Sequence, residues 1–385
     1  PPGRRLNMTG GTAFRCRAAL PAARLGPPIC YGPFMTDTPS TVRHSRWGLY
    51  APFIILLVLL AAWTAWWFVL ARQVETRLED QAERLRQGGW DVRYADTHVS
   101  GWPFRARVAA RHITLAAPSG HAVSAPELVA EANAYQPTKW VVVAPQGLVL
   151  DRAGKGKVAI DGDAVRMSAS GLGQRWPNLA LELVNPTFTA HPDSEPFPFA
   201  RAARFEFYAR PHVVADQATS DDVDVMIRLI DARGRPDGAV EGFAQEGQLT
   251  TQIEAVIGKA STLSGMDPAG VFSAWTTAGG AFRNVRGELK AGDSEATLSS
   301  DLLRADGNGR LVGSVAFQAR EPGPAIAGLA GAQTGVANRV GAAGAAATAG
   351  VARAAGRESM TLTVVFRDGR AWLGPFPIAP APKLF

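Results

Sequence analysis

Arg204-Phe205-Glu206-Phe207-Tyr208-Ala209-Arg210 and Asp222-Val223-Asp224-Val225-Met226-Ile227-Arg228-Leu229 carry the deciding pattern of this chain. Apolar and polar side chains alternate with a period of two, which places one kind on each face of a β-strand. The same alternation recurs at Phe104–Ala110, Val165–Ala169, Leu179–Leu183, Val285–Leu289, Leu311–Phe317 and Leu362–Phe366. Runs of this kind, bounded by Gly, Pro, Asp or Asn, predict a mainly β (α+β) fold: a large antiparallel, curved β-sheet domain with one apolar face and a few helices. Asp161-Gly162, Asp237-Gly238, Asp306-Gly307-Asn308-Gly309 and Asp368-Gly369 read as hairpin turns. One helix is expected where Asp267 caps Pro268, with Val271, Phe272 and Trp275 as its stripe and Gly279-Gly280 as its stop. Another stretch, Pro322 to Arg357, contains the Ala/Gly-rich segment 325–357. Ala favours a helix there and repeated Gly opposes it, so a small-faced helix and a flexible insert both fit.

Upstream of the strands the period changes. Gly48 to Leu70 reads GLYAPFIILLVLLAAWTAWWFVL, 23 residues without a charge. A spanning helix needs about 20 apolar residues to cross roughly 30 Å of hydrocarbon. Trp47 and Tyr50 stand at one end, and Trp63, Trp66 and Trp67 toward the other, as interfacial aromatics do. Residues 71–89 continue as a helix with Val74, Leu78, Ala82 and Leu85 on one stripe, ended by Gly88-Gly89. This piece is either a stalk or the first helix of the β domain. The expected organisation is a leader at 1–34, a short cytoplasmic tail at 35–47, a transmembrane helix at 48–70, a stalk helix at 71–89 and a β-rich extracytoplasmic domain at 90–385. Translation is expected to start at Met35, with Met8 as the alternative. The Arg-rich, acid-poor 1–34 segment also fits a targeting peptide.

The remaining composition excludes more than it assigns. Of 385 residues 46% are apolar and 19% charged, with a formal net charge of +6. Much of the excess lies before Trp47, where seven Arg face Asp37 alone, so no nucleic-acid partner is expected. Cys16 and Cys30 both precede Met35; a chain starting there has no disulfide and no thiolate ligand or nucleophile. His44, His98, His112, His121, His191 and His212 lack zinc-ligand spacing. Asp221, Asp222 and Asp224 read as the polar side of a strand and not as a cation site. Phosphate-binding and nucleophile-elbow motifs are absent. Neither catalytic, metal nor cofactor residues are therefore assigned, and no enzyme is expected.

Gly101-Trp102-Pro103-Phe104-Arg105, then Trp140 with Ala144-Pro145-Gln146-Gly147-Leu148, then Trp275 to Gly313, and Phe366-Arg367-Asp368-Gly369-Arg370 through Gly374-Pro375-Phe376-Pro377, occur in an order that resembles a bacterial envelope family, domain of unknown function 2125. The likeness covers roughly residues 45–385 and implies an N-terminal anchor with a periplasmic-side sheet. It is also loosely similar to AsmA-like envelope proteins, which would imply an apolar trough for lipid. No established active site transfers. Trp102 and Phe104 are expected to be core residues, with an exposed recognition loop as the alternative. Arg105, Arg107 and Arg111 form a basic stripe that would meet lipid headgroups if it faced the bilayer. The expected partners are the bilayer, through residues 48–70, and a lipid ligand or another envelope protein. The expected location is the bacterial inner membrane, single-pass, with the N-terminus cytoplasmic. The leading functional expectation is lipid binding or carriage, and the second is a structural scaffold acting through protein contacts.

Overall fold

A computed structural model describes residues 47–215, 217–236, 238–244, 247–263, 270–321 and 359–385, together with Gly344, Ala347 and Gly350. The Asp267-Pro268 cap and nearly all of the 325–357 segment lie outside the described residues. The chain divides into two units, Pro1–Ile55 and Leu56–Phe385. Helix α1 runs from Trp47 to Gln87 and merges the apolar run with the amphipathic piece after it. The strands are β1 (Asp91–Ser100), β2 (Arg105–Ala116), β3 (Ala122–Asn133), β4 (Gln136–Val143), β5 (Leu148–Arg152), β6 (Gly156–Asp161), β7 (Ala164–Ser170), β8 (Asn178–Val184), β9 (Thr187–Ala190), β10 (Phe199–Arg201), β11 (Arg204–Val214), β12 (Gln217–Gly234), β13 (Leu249–Ile257), β14 (Phe282–Ala291), β15 (Ser294–Ala305), β16 (Leu311–Arg320), β17 (Ser359–Arg367), β18 (Arg370–Leu373) and β19 (Phe376–Pro380). Two short helices, α2 (Ala239–Ala244) and α3 (Val271–Thr277), interrupt them. The protein is mainly β, as the alternation predicts, and all eight alternating runs fall in strands.

The strand pairings are antiparallel and follow two routes. β1 pairs with β2 and β2 with β3. At β3 the ladder forks: Val129–Asn133 pair with β4, and Ala122–Ser124 with β5. One branch continues β4–β7–β8–β11–β12. The other continues β5–β6–β9–β10–β12. Both therefore meet again at β12, and the circuit encloses a sealed apolar cluster of Val158, Ile160, Val165, Leu183 and Phe188, with Phe197, Phe199 and Phe205 packed on it. Beyond β12 the sheet proceeds strand by strand to β19. Smaller clusters form there around Val285, Leu303 and Val315, and around Ala371 and Ile378.

Two of the expected hairpin turns occur as such. Asp306 accepts the N–H groups of Asn308 and Arg310 on one carboxylate oxygen, turning β15 into β16. Asp368 and Gly369 both take positive φ between the paired β17 and β18, the conformation a two-residue hairpin requires. Asp161-Gly162 does something else. β6 and β7 do not pair with each other, so this turn carries the chain from one branch of the fork to the other. Asp237 lies outside the described residues, and Gly238 leads into α2 instead of a returning strand.

α3 is set by one side chain. Trp275 is fully buried, its ring lies 5.6 Å from Phe272 and 4.9 Å from Phe282, and its indole N–H donates to the Gly258 carbonyl at 2.7 Å. The Gly279-Gly280 stop has a packing reason as well, because a Cβ at Gly280 would sit 2.2 Å from the Trp275 ring. Trp275→Ala should cost about 3–5 kcal/mol, the range for truncating a buried aromatic. A urea midpoint that falls at unchanged slope would report it.

Candidate functional site

The site expected from the sequence sits between β1 and β2. The Arg105 N–H closes a turn onto the Gly101 carbonyl at 2.9 Å, and Gly101 takes φ 103°. A Cβ there would come within 2.7 Å of the Arg105 carbonyl oxygen, so the turn requires glycine. Three successive carbonyls are then held, two by α1 and one by the β3–β4 turn. Trp63 Nε1 donates to the Pro103 carbonyl at 2.9 Å, the Ala134 N–H to that of Phe104 at 2.8 Å, and Trp67 Nε1 to that of Arg105 at 2.9 Å. The backbone is fixed while the side chains project away: Trp102 is 50% exposed and Phe104 64%. The core expectation for these two residues therefore fails. The apolar cluster next to the turn is built without them, from Val99, Val108 and Ala134 packed with Trp67, Leu70 and Ala71.

Arg105 and Arg107 converge on one carboxylate, Glu131 of β3, at 3.4 and 3.2 Å. Arg111 lies opposite Glu127 in register. The basic stripe is thus partly neutralised by its neighbour strand, and exposed pairs of this kind contribute at most about 1 kcal/mol each. Tyr135, 67% exposed, completes the neighbourhood from the β3–β4 turn. It carried no sequence signal, because the two turns are brought together by pairing across β2 and β3, Arg105 opposite Asn133, and by the Ala134-to-Phe104 hydrogen bond.

A second surface comes from strand register. Arg166, Glu182, Glu206, Arg228, Gln252, Glu288, Thr297, Gln318 and Thr361 stand directly opposite one another across nine strands, β7, β8 and β11 to β17. The adjacent row on the other face is Met167, Leu181, Phe207, Ile227, Ile253, Gly287, Leu298, Phe317 and Leu362. This row is apolar throughout but not sealed: Met167 is 43% and Ile227 41% exposed. The polar face holds two open clefts of about 790 and 760 Å³. A third cleft, about 580 Å³, is mainly apolar; Leu115, Val123, Leu150, Val271 and Phe272 line it, with Arg152 and Lys383 beside them.

Acids and histidines that could have suggested chemistry have ordinary partners. Asp221 accepts the Ser261 N–H and hydroxyl, Asp222 pairs with Arg283 at 2.5 Å, and Asp224 with His212 and Arg210 at 2.5 and 3.3 Å. His121 Nδ1 accepts the Ala153 N–H at 3.1 Å. Among the described residues no group of three or more His, Cys, Asp or Glu is placed to hold a metal ion.

These surfaces define a class: a mainly β domain of paired polar and apolar rows, carried on a helix long and apolar enough to cross a membrane. Within that class, the chain belongs to the bacterial family described as uncharacterized protein conserved in bacteria (DUF2125), whose match spans residues 67–382. No curated protein and no solved structure matches the chain.

The turn geometry makes a direct prediction. Trp67→Phe keeps the apolar body and removes the donor to Arg105, and should cost about 1 kcal/mol. Gly101→Ala forces a side chain into positive φ and against a carbonyl, and should cost more than that. Denaturant titration of the full chain in detergent would rank the two.

Proposed function

We propose that this chain is a membrane-anchored envelope protein that binds or carries lipid on the apolar face of its sheet. Residues 48–70 cross the bacterial inner membrane, the N-terminus is cytoplasmic and the β domain is periplasmic. A binding role, without catalysis or cofactor, agrees with Asp221, Asp222, Asp224, His121 and His212, each of which is held by a neighbour. The observation that carries the reading is the apolar row from Met167 to Leu362. It runs unbroken across nine strands, and Met167 and Ile227 remain more than two-fifths exposed. An apolar strip of this extent, open at Met167 and Ile227 on a protein tied to a bilayer, suits acyl chains better than water. A lipid trough of the AsmA-like kind is the form we propose for this surface, by fold analogy.

A structural role through protein contacts is the second reading. It is favoured by the opposite, polar face, whose two clefts are lined by charged and hydroxyl side chains such as Arg228, Glu254, Glu288 and Thr297.

Native mass spectrometry of the full chain released from mild detergent separates these readings. The wild type should retain lipid, and Phe207→Asp with Ile227→Asp should lower the retained amount several-fold. Val271→Asp, at the start of α3 in the third cleft, should leave it unchanged. Equal retention by the double variant would overturn the assignment to the row. A lipid-free wild type that crosslinks to one stable protein partner in cells would favour the scaffold.

A further inference from the structure

The turn that exposes Trp102 and Phe104 is pinned to a particular level of α1. Its anchors are Trp63 and Trp67, one helical turn apart. The residues just before them, Leu56, Leu57, Val58, Leu59 and Leu60, are all 48% exposed or more. The outward side of the helix at the turn's own level is also apolar, with Trp66 41%, Phe68 55% and Val69 54% exposed. The lipid-facing part of the helix and the docked turn thus adjoin, with no polar residue of α1 between Leu56 and Trp67 except Thr64. The Ala134-to-Phe104 hydrogen bond brings the Tyr135 turn to the same level.

We infer that Trp102, Phe104 and Tyr135 form a membrane-seating patch: they enter the headgroup–acyl boundary beside the helix and fix how the β domain stands on the bilayer. This deepens the anchoring reading and rests on it. The chemistry is that of an aromatic belt. Indole and phenol rings favour the interface, where the ring body leaves water and the polar edge stays hydrated. The three side chains come from two turns of a rigid sheet, and their backbone is held by Trp63, Trp67 and Ala134. Insertion therefore orders little that is not already ordered, which removes the usual entropic opposition. Arg105 and Arg107 follow directly on β2, 67% and 49% exposed at their side chains, at a height suited to headgroup phosphate. The opposite end of the domain is far away. From Trp67 to Gln87 the helix covers roughly 30 Å, and Trp90 just beyond it lines the same cleft as Lys155.

The test uses the full chain in vesicles of phosphatidylethanolamine and phosphatidylglycerol, with Cys16 and Cys30 changed to Ser. Single cysteines replace Trp102, Phe104, Tyr135, Leu57 or Lys155 in turn and carry a small environment-sensitive dye. Nitroxide lipids with the spin label at different depths then report position. Dyes at 102, 104 and 135 should be quenched within about 5–10 Å of the headgroup boundary, the dye at 57 more deeply, and the dye at 155 not at all. Phe104→Asp with Tyr135→Asp should abolish quenching at 102 and leave it at 57. Quenching at 57 alone would overturn the seating patch while the anchor stands. Absence at 57 as well would overturn both. Quenching at 155, or persistence at 102 in the double Asp variant, would overturn the proposed orientation.

Discussion

The cross-strand register around Glu206 holds the rest of the structure in place. Glu182 and Glu206 stand directly opposite each other, a like-charge pairing that works against sheet formation. Arg204 offsets it by reaching both, at 3.6 and 3.3 Å. Arg166 adds a bond to Glu182 at 2.5 Å, and Arg228 one to Glu206 at 3.6 Å. Across β7, β8, β11 and β12 the row thus reads plus, minus, minus, plus, with Arg204 bridging the two central carboxylates. Glu206 is almost fully buried, so its loss of hydration is compensated only in this register. A slip of one residue would turn every side chain of a strand to the other face. Val165, Leu183 and Phe205 would then leave the sealed cluster, and arginine and glutamate would enter it.

β12 converts that register into architecture. It spans Gln217 to Gly234 and pairs with β11 and β13 along most of its length and with β10 at its end. The fork that opens at β3 can close only because this one strand is long enough to accept both branches. Arg235, immediately after it, donates to the Phe197 and Phe188 carbonyls at 2.7 and 2.6 Å, tying the rim of the closed circuit. On that side the apolar face is covered by β5, β6, β9 and β10. Leu181 of the row still packs on that cluster, while Met167 and Ile227 stand exposed. The same alternation therefore yields a sealed core in one place and open apolar surface in another, and the difference lies in the topology.

This explains what could be read from the sequence. The strands were legible because a period of two is a local signal, and each of the eight alternating runs became one. The fork was not, since nothing in Val158 or Ile160 announces that β6 will pair with β9 as well as β5. Asp161-Gly162 departs from a hairpin for the same reason: a turn motif marks a reversal without naming the partner. Trp102 and Phe104 looked like core because large aromatics beside a strand usually are. Their exposure is decided by Trp63 and Trp67, forty and thirty-eight residues away from the carbonyls they hold. Those two tryptophans lie in a run that is apolar on every side, so hydropathy could not say which side would meet protein.

That last ambiguity bears on how α1 works. Of the run from Gly48 to Leu70, Trp67 and Leu70 are buried against β-sheet residues, while Phe68 and Val69 between them stay exposed. Farther along, Ala71 and Ala82 are buried and Leu78 is not, so small side chains mark the stripe where the sheet approaches most closely. The helix is therefore a structural member of the domain from Trp63 onward as well as an apolar rod before it. A free stalk would let the domain tumble above a membrane. A helix whose indoles are hydrogen-bonded into the first hairpin transmits its own direction to the sheet, and with it the direction of the apolar row.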